Sequence, residues 1–163
     1  MSDFDFIAHV RECDNAKQTL ETHLTETAAI AKMLAAKLGM GLAGELLGLM
    51  HDFGKYSSKF QKYIHDATGL YNPDLDEEES TPAGSKVDHS TAGAQWVYNR
   101  LRKFWAQHGI GELFGQMLGL CIASHHGAGL IDCLNPDNGE VVWRKRFNKD
   151  DELTNLTDRK SVV

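Results

Sequence analysis

The chain has 163 residues, a formal net charge of −6 and 42% hydrophobic residues. That length is one domain with enough chain to bury a core, and the composition excludes a collagen-like, low-complexity or globally disordered protein. No apolar run approaches the ~18 residues of a membrane span. The N-terminus, from Met1 to Phe6, has no basic stretch leading into a hydrophobic one, so no signal peptide is expected and the expected location is the cytoplasm. Much of the acidity sits in one stretch, Asp74, Asp76, Glu77, Glu78 and Glu79, and the rest of the chain is close to neutral. Binding of nucleic acid by bulk charge is therefore excluded, and any such binding needs another source of positive charge, such as bound metal. The three cysteines, Cys13, Cys121 and Cys133, form no C-x-x-C pair, which points to reduced thiols and away from a zinc–cysteine site.

In chain order the segments read mostly as helices. Residues 17–38 carry His23, Thr27, Ile30, Ala31, Leu34 and Leu38 at three- and four-residue spacing, with Gly39 as the stop. A second helix is expected over 42–52, with Leu42, Leu46, Leu49 and Met50 as its buried face, broken by Gly54. Ser57 reads as the N-cap of a third helix carrying Phe60, Tyr63 and Ile64. Residues 66–87, with Gly69, Pro73, the acidic run, Pro82 and Gly84, read as a long loop. Asp88 is expected to cap a helix through Trp96, Val97, Leu101, Phe104 and Trp105 to about His108. A further helix follows Gly111, carries Leu113, Met117, Leu120 and Cys121, and ends at His125-His126-Gly127. A turn is expected at Pro136–Gly139, and 141–147 reads as a short strand or an irregular extension. The expected fold is all-α, a compact bundle of five to six helices.

Histidine is in surplus, with eight copies. His23 lies on the inner face of the first helix, His51-Asp52 ends the second, His89 opens the helix after the loop, and His125-His126 closes a later one. Singly, each has an ordinary explanation as a core residue, a helix end or a C-cap. Together they form the imidazole and carboxylate set used for divalent transition metals. One carboxylate can bridge two metals that several imidazoles hold from outside, a pair suited to clamping the oxygens of a phosphodiester displacement. Adjacent helical residues point about 100° apart, so His51 and Asp52, like His125 and His126, can serve different metals. Lys55, one turn beyond Asp52, reads either as an exposed lysine or as an ammonium reaching a phosphate oxygen.

Four segments form an ordered set: H-L-T-E-T-A-A-I-A at 23–31, L-M-H-D-F-G-K-Y-S-S-K-F-Q at 49–61, D-H-S-T-A-G-A at 88–94 and A-S-H-H-G-A-G-L-I-D at 123–132. This set, over about residues 5–147, resembles the HD-domain nuclease of type I CRISPR interference, the nuclease part of the CRISPR-associated helicase-nuclease. H-D alone is a weak signal; its combination with the following motifs is specific. The resemblance implies an all-helical HD domain that degrades single-stranded DNA with two divalent metal ions (Mn, Co, Ni or Mg). It implies His23, His51 and Asp52 as ligands of one metal, a bridging Asp52, and His89, His125 and His126 as ligands of the second. Asp52 and Lys55 are the catalytic candidates, and Lys55 and Ser90 are the candidates for substrate contact. The implied partners are single-stranded DNA, a helicase domain or subunit, and the CRISPR surveillance complex, with no membrane. Arg100, Arg102 and Lys103, and Arg144, Lys145 and Arg146, are either DNA-tracking clusters or solvated faces.

The family pattern includes a further metal-binding aspartate well downstream of the His pair. The late candidates here are Asp150, Asp151 and Asp158, while Asp132 follows the pair too closely. Residues 158–163 read like a translated sequencing adaptor. The expectation is thus a nuclease domain at 5–150, truncated at its C-terminus, with 151–163 a tail that is not native. No phosphate-binding G-x-x-x-x-G-K-[ST] loop occurs in the chain. Two other readings remain open on the residues alone. One is an HD phosphohydrolase acting on nucleotides or cyclic dinucleotides, and the other is a non-catalytic metal-binding or docking module.

Overall fold

The computed structural model describes residues 6–11, 13–67, 87–104 and 109–126. Among these, two short strands, β1 (Ile7–Val10) and β2 (Lys17–Thr19), precede five helices. The helices are α1 (Leu20–Ala36), α2 (Gly41–Met50), α3 (Ser58–Ala67), α4 (Ser90–Phe104) and α5 (Ile110–Ser124), and a 3-10 turn, Phe53–Tyr56, links α2 to α3. The described residues are mostly helical, as an HD-type bundle requires, and the small sheet among them is open.

The hairpin was not expected from the sequence, and it moves the start of the first helix from 17 to Leu20. The strands pair antiparallel, Ile7 with Thr19 and Val10 with Lys17, with a bulge between Ile7 and His9. Asn15 closes the turn with φ +56°, a conformation asparagine tolerates better than most residues. Thr19 then caps α1, its hydroxyl accepting from the Thr22 amide at 3.2 Å. At the other end Gly39 takes φ +72° and stops the helix as expected. Ser57 accepts from the Phe60 amide at 3.2 Å, and Asp88 accepts from the Thr91 amide at 3.2 Å and hydroxyl at 2.8 Å, so both expected caps are present.

Helix α1 packs on α2, and α4 on α5. The inner faces differ from those read off the large apolar residues. In α1 the buried positions are Leu20, Leu24 and Ala28, while Ile30, Leu34 and Leu38 are exposed. In α2 they are Gly44, Gly48 and Met50, while Leu42 and Leu49 are exposed. In α5 Leu118, Ile122 and Ala123 face inward, and Leu113 and Met117 face out. Trp96 and Phe104 of α4 are likewise exposed. The cause is close approach between helices: a Cβ on Gly48 would collide with the Ala28 backbone, so the small-residue stripe becomes the contact.

Three apolar clusters form the core. Met50, Ala94, Val97, Leu118, Ile122 and Ala123 join α2, α4 and α5. Ile7, Phe60, Ile64 and Val87 join β1 to α3, and Ala8, Leu20 and Leu24 seat the hairpin on α1. Met50 precedes His51, Val87 lies two before His89, and Ile122 and Ala123 precede His125. Each histidine-bearing segment is thus pinned by a core residue close by in sequence, which fixes its backbone before any ligand binds. The expectations for the long loop beyond residue 67, Trp105–His108, Cys133, the 136–139 turn, 141–147, Arg144–Arg146 and the late aspartates lie outside the described residues. No described helix is long and apolar enough to cross a membrane.

Candidate metal centre

Asp52 stands at the centre, 3% exposed, at the junction of α2 and the 3-10 turn. Around it converge the other five metal-binding candidates of the sequence reading, all histidines. His23 Nε2 is 3.0 Å and His51 Nε2 3.2 Å from Oδ2. His125 Nε2 is 3.1 Å, His89 Nε2 3.4 Å and His126 Nε2 3.8 Å from Oδ1. The histidines therefore divide between the two carboxylate oxygens.

Three of these rings have their tautomer set by the backbone. His51 Nδ1 lies 2.7 Å from the Gly48 carbonyl, His125 Nδ1 2.7 Å from the Ile122 carbonyl, and His89 Nδ1 2.9 Å from the Val87 carbonyl. A carbonyl oxygen only accepts, so each Nδ1 carries the hydrogen and each neutral ring turns an Nε2 lone pair towards Asp52. His51 and His125 use one device twice, a histidine at the C-cap of a helix bonded back to the carbonyl three residues earlier. The negative ends of α2 and α5 thus both point at the cluster and favour a cation there.

Lone pairs facing a carboxylate repel unless a cation lies between them. Two donors each about 2.1 Å from one ion, and roughly 90–110° apart around it, stand about 3.0–3.4 Å from each other. The triangle of His23 Nε2, His51 Nε2 and Asp52 Oδ2 has edges of 3.1, 3.0 and 3.2 Å. His125 and His89 stand 3.1 and 3.4 Å from Oδ1, and His126 lies 2.6 Å from His89, on the exposed rim. Both donor sets fit a metal ion, with Asp52 shared between them. The four atoms of Asp52, His89, His125 and His126 lie within 4.8 Å of one another.

Burial alone would raise the Asp52 carboxyl. The group is nevertheless held well below the usual carboxylate range, with the Lys55 ammonium 2.9 Å from Oδ2 favouring the charged form. Burial lowers His89 to about 4, and lowers His23, His9 and His126 as well. The lowered values of His9, His23, His89 and His126 favour their neutral form, the form in which imidazole binds metal.

Two backbone features bring the second half of the site to the first. The Gly54 amide donates to the His89 carbonyl at 3.0 Å. A Cβ at Gly54 would overlap that carbonyl, so the residue must be glycine for the 3-10 turn to touch the start of α4. His89 lies just before α4, not inside its first turn, and its ring packs edge-on against Phe60, centroids 4.9 Å apart.

Lys55 differs from both sequence readings of it. It is 4% exposed, with Nζ 2.9 Å from Asp52 Oδ2 and donating to the Ala8 carbonyl at 3.3 Å. It is not a surface lysine; its ammonium is buried and paired with the carboxylate. Ser90 is buried in the first turn of α4, next to His89. Arg100, Arg102 and Lys103 are exposed near the far end of α4, and Arg102 covers Tyr98 at 5.3 Å. They start 11 residues from His89, roughly 17 Å along the helix axis.

One histidine was missed. His9, on β1, joins His23 and Asp52 in a second group of possible ligand atoms within 4.8 Å of one another. Its only sequence signal is a lone His between apolar residues, Ala8 and Val10, on a segment with no helical period. Among the described residues, Cys13 and Cys121 are exposed and free.

None of the curated proteins compared with the chain matches it. A family model described as "Cas3, HD domain" matches residues 10–156, which contain all six predicted ligands and Lys55. With a helical bundle gathering two His/Asp clusters on a shared Asp52, the chain belongs to the Cas3 HD-domain family.

Proposed function

We propose that the chain is a metal-dependent nuclease that degrades single-stranded DNA in CRISPR defence, cutting phosphodiester bonds at the Asp52 centre. The observation that carries this reading is the division of five imidazoles between the two oxygens of one buried carboxylate. His23 and His51 would hold one ion with Asp52, and His89, His125 and His126 would hold the other with the same carboxylate. The imidazole-rich set favours Mn, Co or Ni over Mg, which prefers oxygen donors. Divalent ions bound there would supply an activated water at neutral pH and positive charge for the attacking and leaving oxygens. That charge also answers how a chain of net −6 holds a phosphodiester.

The chain's own residues prepare the site. Asp52 stays ionised across the working pH range, so protons do not compete for its oxygens. The Nδ1-to-carbonyl hydrogen bonds hold three rings at fixed angles, as outer partners of metal ligands do. Lys55 acts as a positioning residue that balances and orients Asp52, because its ammonium is committed to Oδ2 and the Ala8 carbonyl. Ser90 contributes to packing beside His89. His126, with 58% of its side chain exposed, is the ligand that faces an approaching strand. A helicase domain or subunit, and the CRISPR surveillance complex, are the partners that would deliver that strand.

The test is degradation of circular single-stranded DNA with Mn²⁺, Co²⁺ or Ni²⁺, comparing the chain with Asp52→Ala. The expected result is metal-dependent degradation that disappears in the variant. Degradation that survives in Asp52→Ala sinks the assignment. So does a folded, metal-loaded chain that spares DNA and hydrolyses nucleotides.

A further inference from the structure

We propose that His9 is a further ligand of the ion on the Oδ2 side of Asp52. The proposal rests on the di-metal reading above and extends it to a residue outside the helical frame. Among the described residues already placed at the centre, three imidazoles face Oδ1 and two face Oδ2. With His9, the described residues offer three imidazoles and one carboxylate oxygen on each side.

The hairpin is built to present this ring. In a regular strand Ile7 and His9 would share a face, and Ile7 is buried against Phe60, Ile64 and Val87. The bulge between Ile7 and His9 breaks that alternation. Ile7 and Ala8 both turn inward, and His9 comes to the rim of the cluster. The bulged segment is clamped on both sides. Gln61 accepts from the Ile7 amide at 2.9 Å and donates to the Ile7 carbonyl at 3.0 Å, while Lys55 donates to the Ala8 carbonyl. Gln61 also donates to the Lys55 carbonyl at 2.7 Å, tying β1 directly to the turn that follows Asp52.

The ring itself faces the centre. His9 packs edge-on against His23, centroids 4.7 Å apart. Its Nε2 lies 3.4 Å from Lys55 Nζ, which can only donate, so an Nε2 lone pair points inward. That ammonium lies between His9 Nε2 and Asp52 Oδ2, 2.9 Å from the latter, so a cation already links two atoms that would bind a metal. Lys55 keeps the Ala8 carbonyl, and the Phe60 ring at 5.4 Å, if it gives up the imidazole.

The test is titration calorimetry of the metal-free chain with Mn²⁺, together with Co²⁺ absorption spectra, for wild type, His9→Ala, His9→Gln and His125→Ala. Because His9 is exposed, both His9 variants are expected to unfold at the wild-type temperature when metal-free. The expected result is two ions on wild type, and in both His9 variants a loss of ~10-fold or more in affinity at one site only. The Co²⁺ spectrum of that site changes, and His125→Ala weakens the other site. Two ions bound by the His9 variants with wild-type affinity and spectrum overturn the ligand role of His9 and leave the di-metal reading standing. Fewer than two ions on wild type overturn both.

Discussion

Gly54 donates its backbone amide to the backbone carbonyl of His89, 3.0 Å away, with no room for a Cβ between the two segments. This contact joins the half of the centre carried by α1 and α2 to the half carried by α4. Gly54→Ala should push the start of α4 away and move the His89 ring off Oδ1. The expected cost is about 1–3 kcal/mol, as for an overpacked contact, with weaker binding of the second ion. Thermal unfolding of the metal-free chain and metal titration read the two effects separately. A variant with wild-type stability and two tight ions would contradict the role given to this contact.

Lys55 and Asp52 are a buried ion pair, 2.9 Å apart with side chains 4% and 3% exposed. Lys55→Met keeps most of the bulk and removes the charge, leaving a buried carboxylate without its ammonium. The metal-free variant should lose about 3–5 kcal/mol in urea unfolding. Saturating Mn²⁺ should recover part of that loss, because bound cations take over the balancing charge. An equal deficit with and without metal would mean that Lys55 holds the fold through packing alone.

The histidines give the metal-free chain an acid sensitivity of definite sign. Burial lowers His89 to about 4, below the ordinary value of about 6.5 that it regains on unfolding. The neutral ring therefore favours the folded state, fully above pH ~6.5, and the contribution is lost as pH falls through 6.5 towards 4. For His89 alone the loss is ~3 kcal/mol. Burial lowers His9, His23 and His126 in the same direction. Asp52, held below the usual carboxylate range, adds stability that is lost only at much lower pH. Urea midpoints of the metal-free chain at pH 7.5, 6, 5 and 4 should fall steadily. A flat profile from 7.5 to 5 would contradict the neutral state of these rings.

The centre was more legible in the sequence than the core around it. His23, His51, Asp52, His89, His125 and His126 stand out because metal chemistry leaves few substitutes for imidazole and carboxylate. Lying on helices or just at their ends, they are also placed by short, regular stretches of chain. His9 carries the same chemistry, but its position depends on a bulge and on the clamp that Gln61 places on Ile7, 54 residues away from it. Neither has a local signature. The inner faces of α1, α2 and α5 were misassigned for a related reason. Large residues such as Ile30, Leu42 and Met117 mark hydrophobicity, whereas the approach of α1 to α2 is set by Gly48 against Ala28. The burial of Lys55 was hidden too, because a lysine next to H-D-x-G gives no sign that β1 will cover it.

The central claim is that the two oxygens of Asp52 serve two metal ions, each also held by Nε2 atoms of the surrounding histidines. A crystal structure of the chain grown with Mn²⁺, with anomalous scattering recorded at the manganese edge, tests it most directly. Two anomalous peaks are expected flanking Asp52, one beside His23 and His51 and the other beside His89, His125 and His126. A single peak, or ligation through the Nδ1 atoms of His51, His89 or His125, would contradict it.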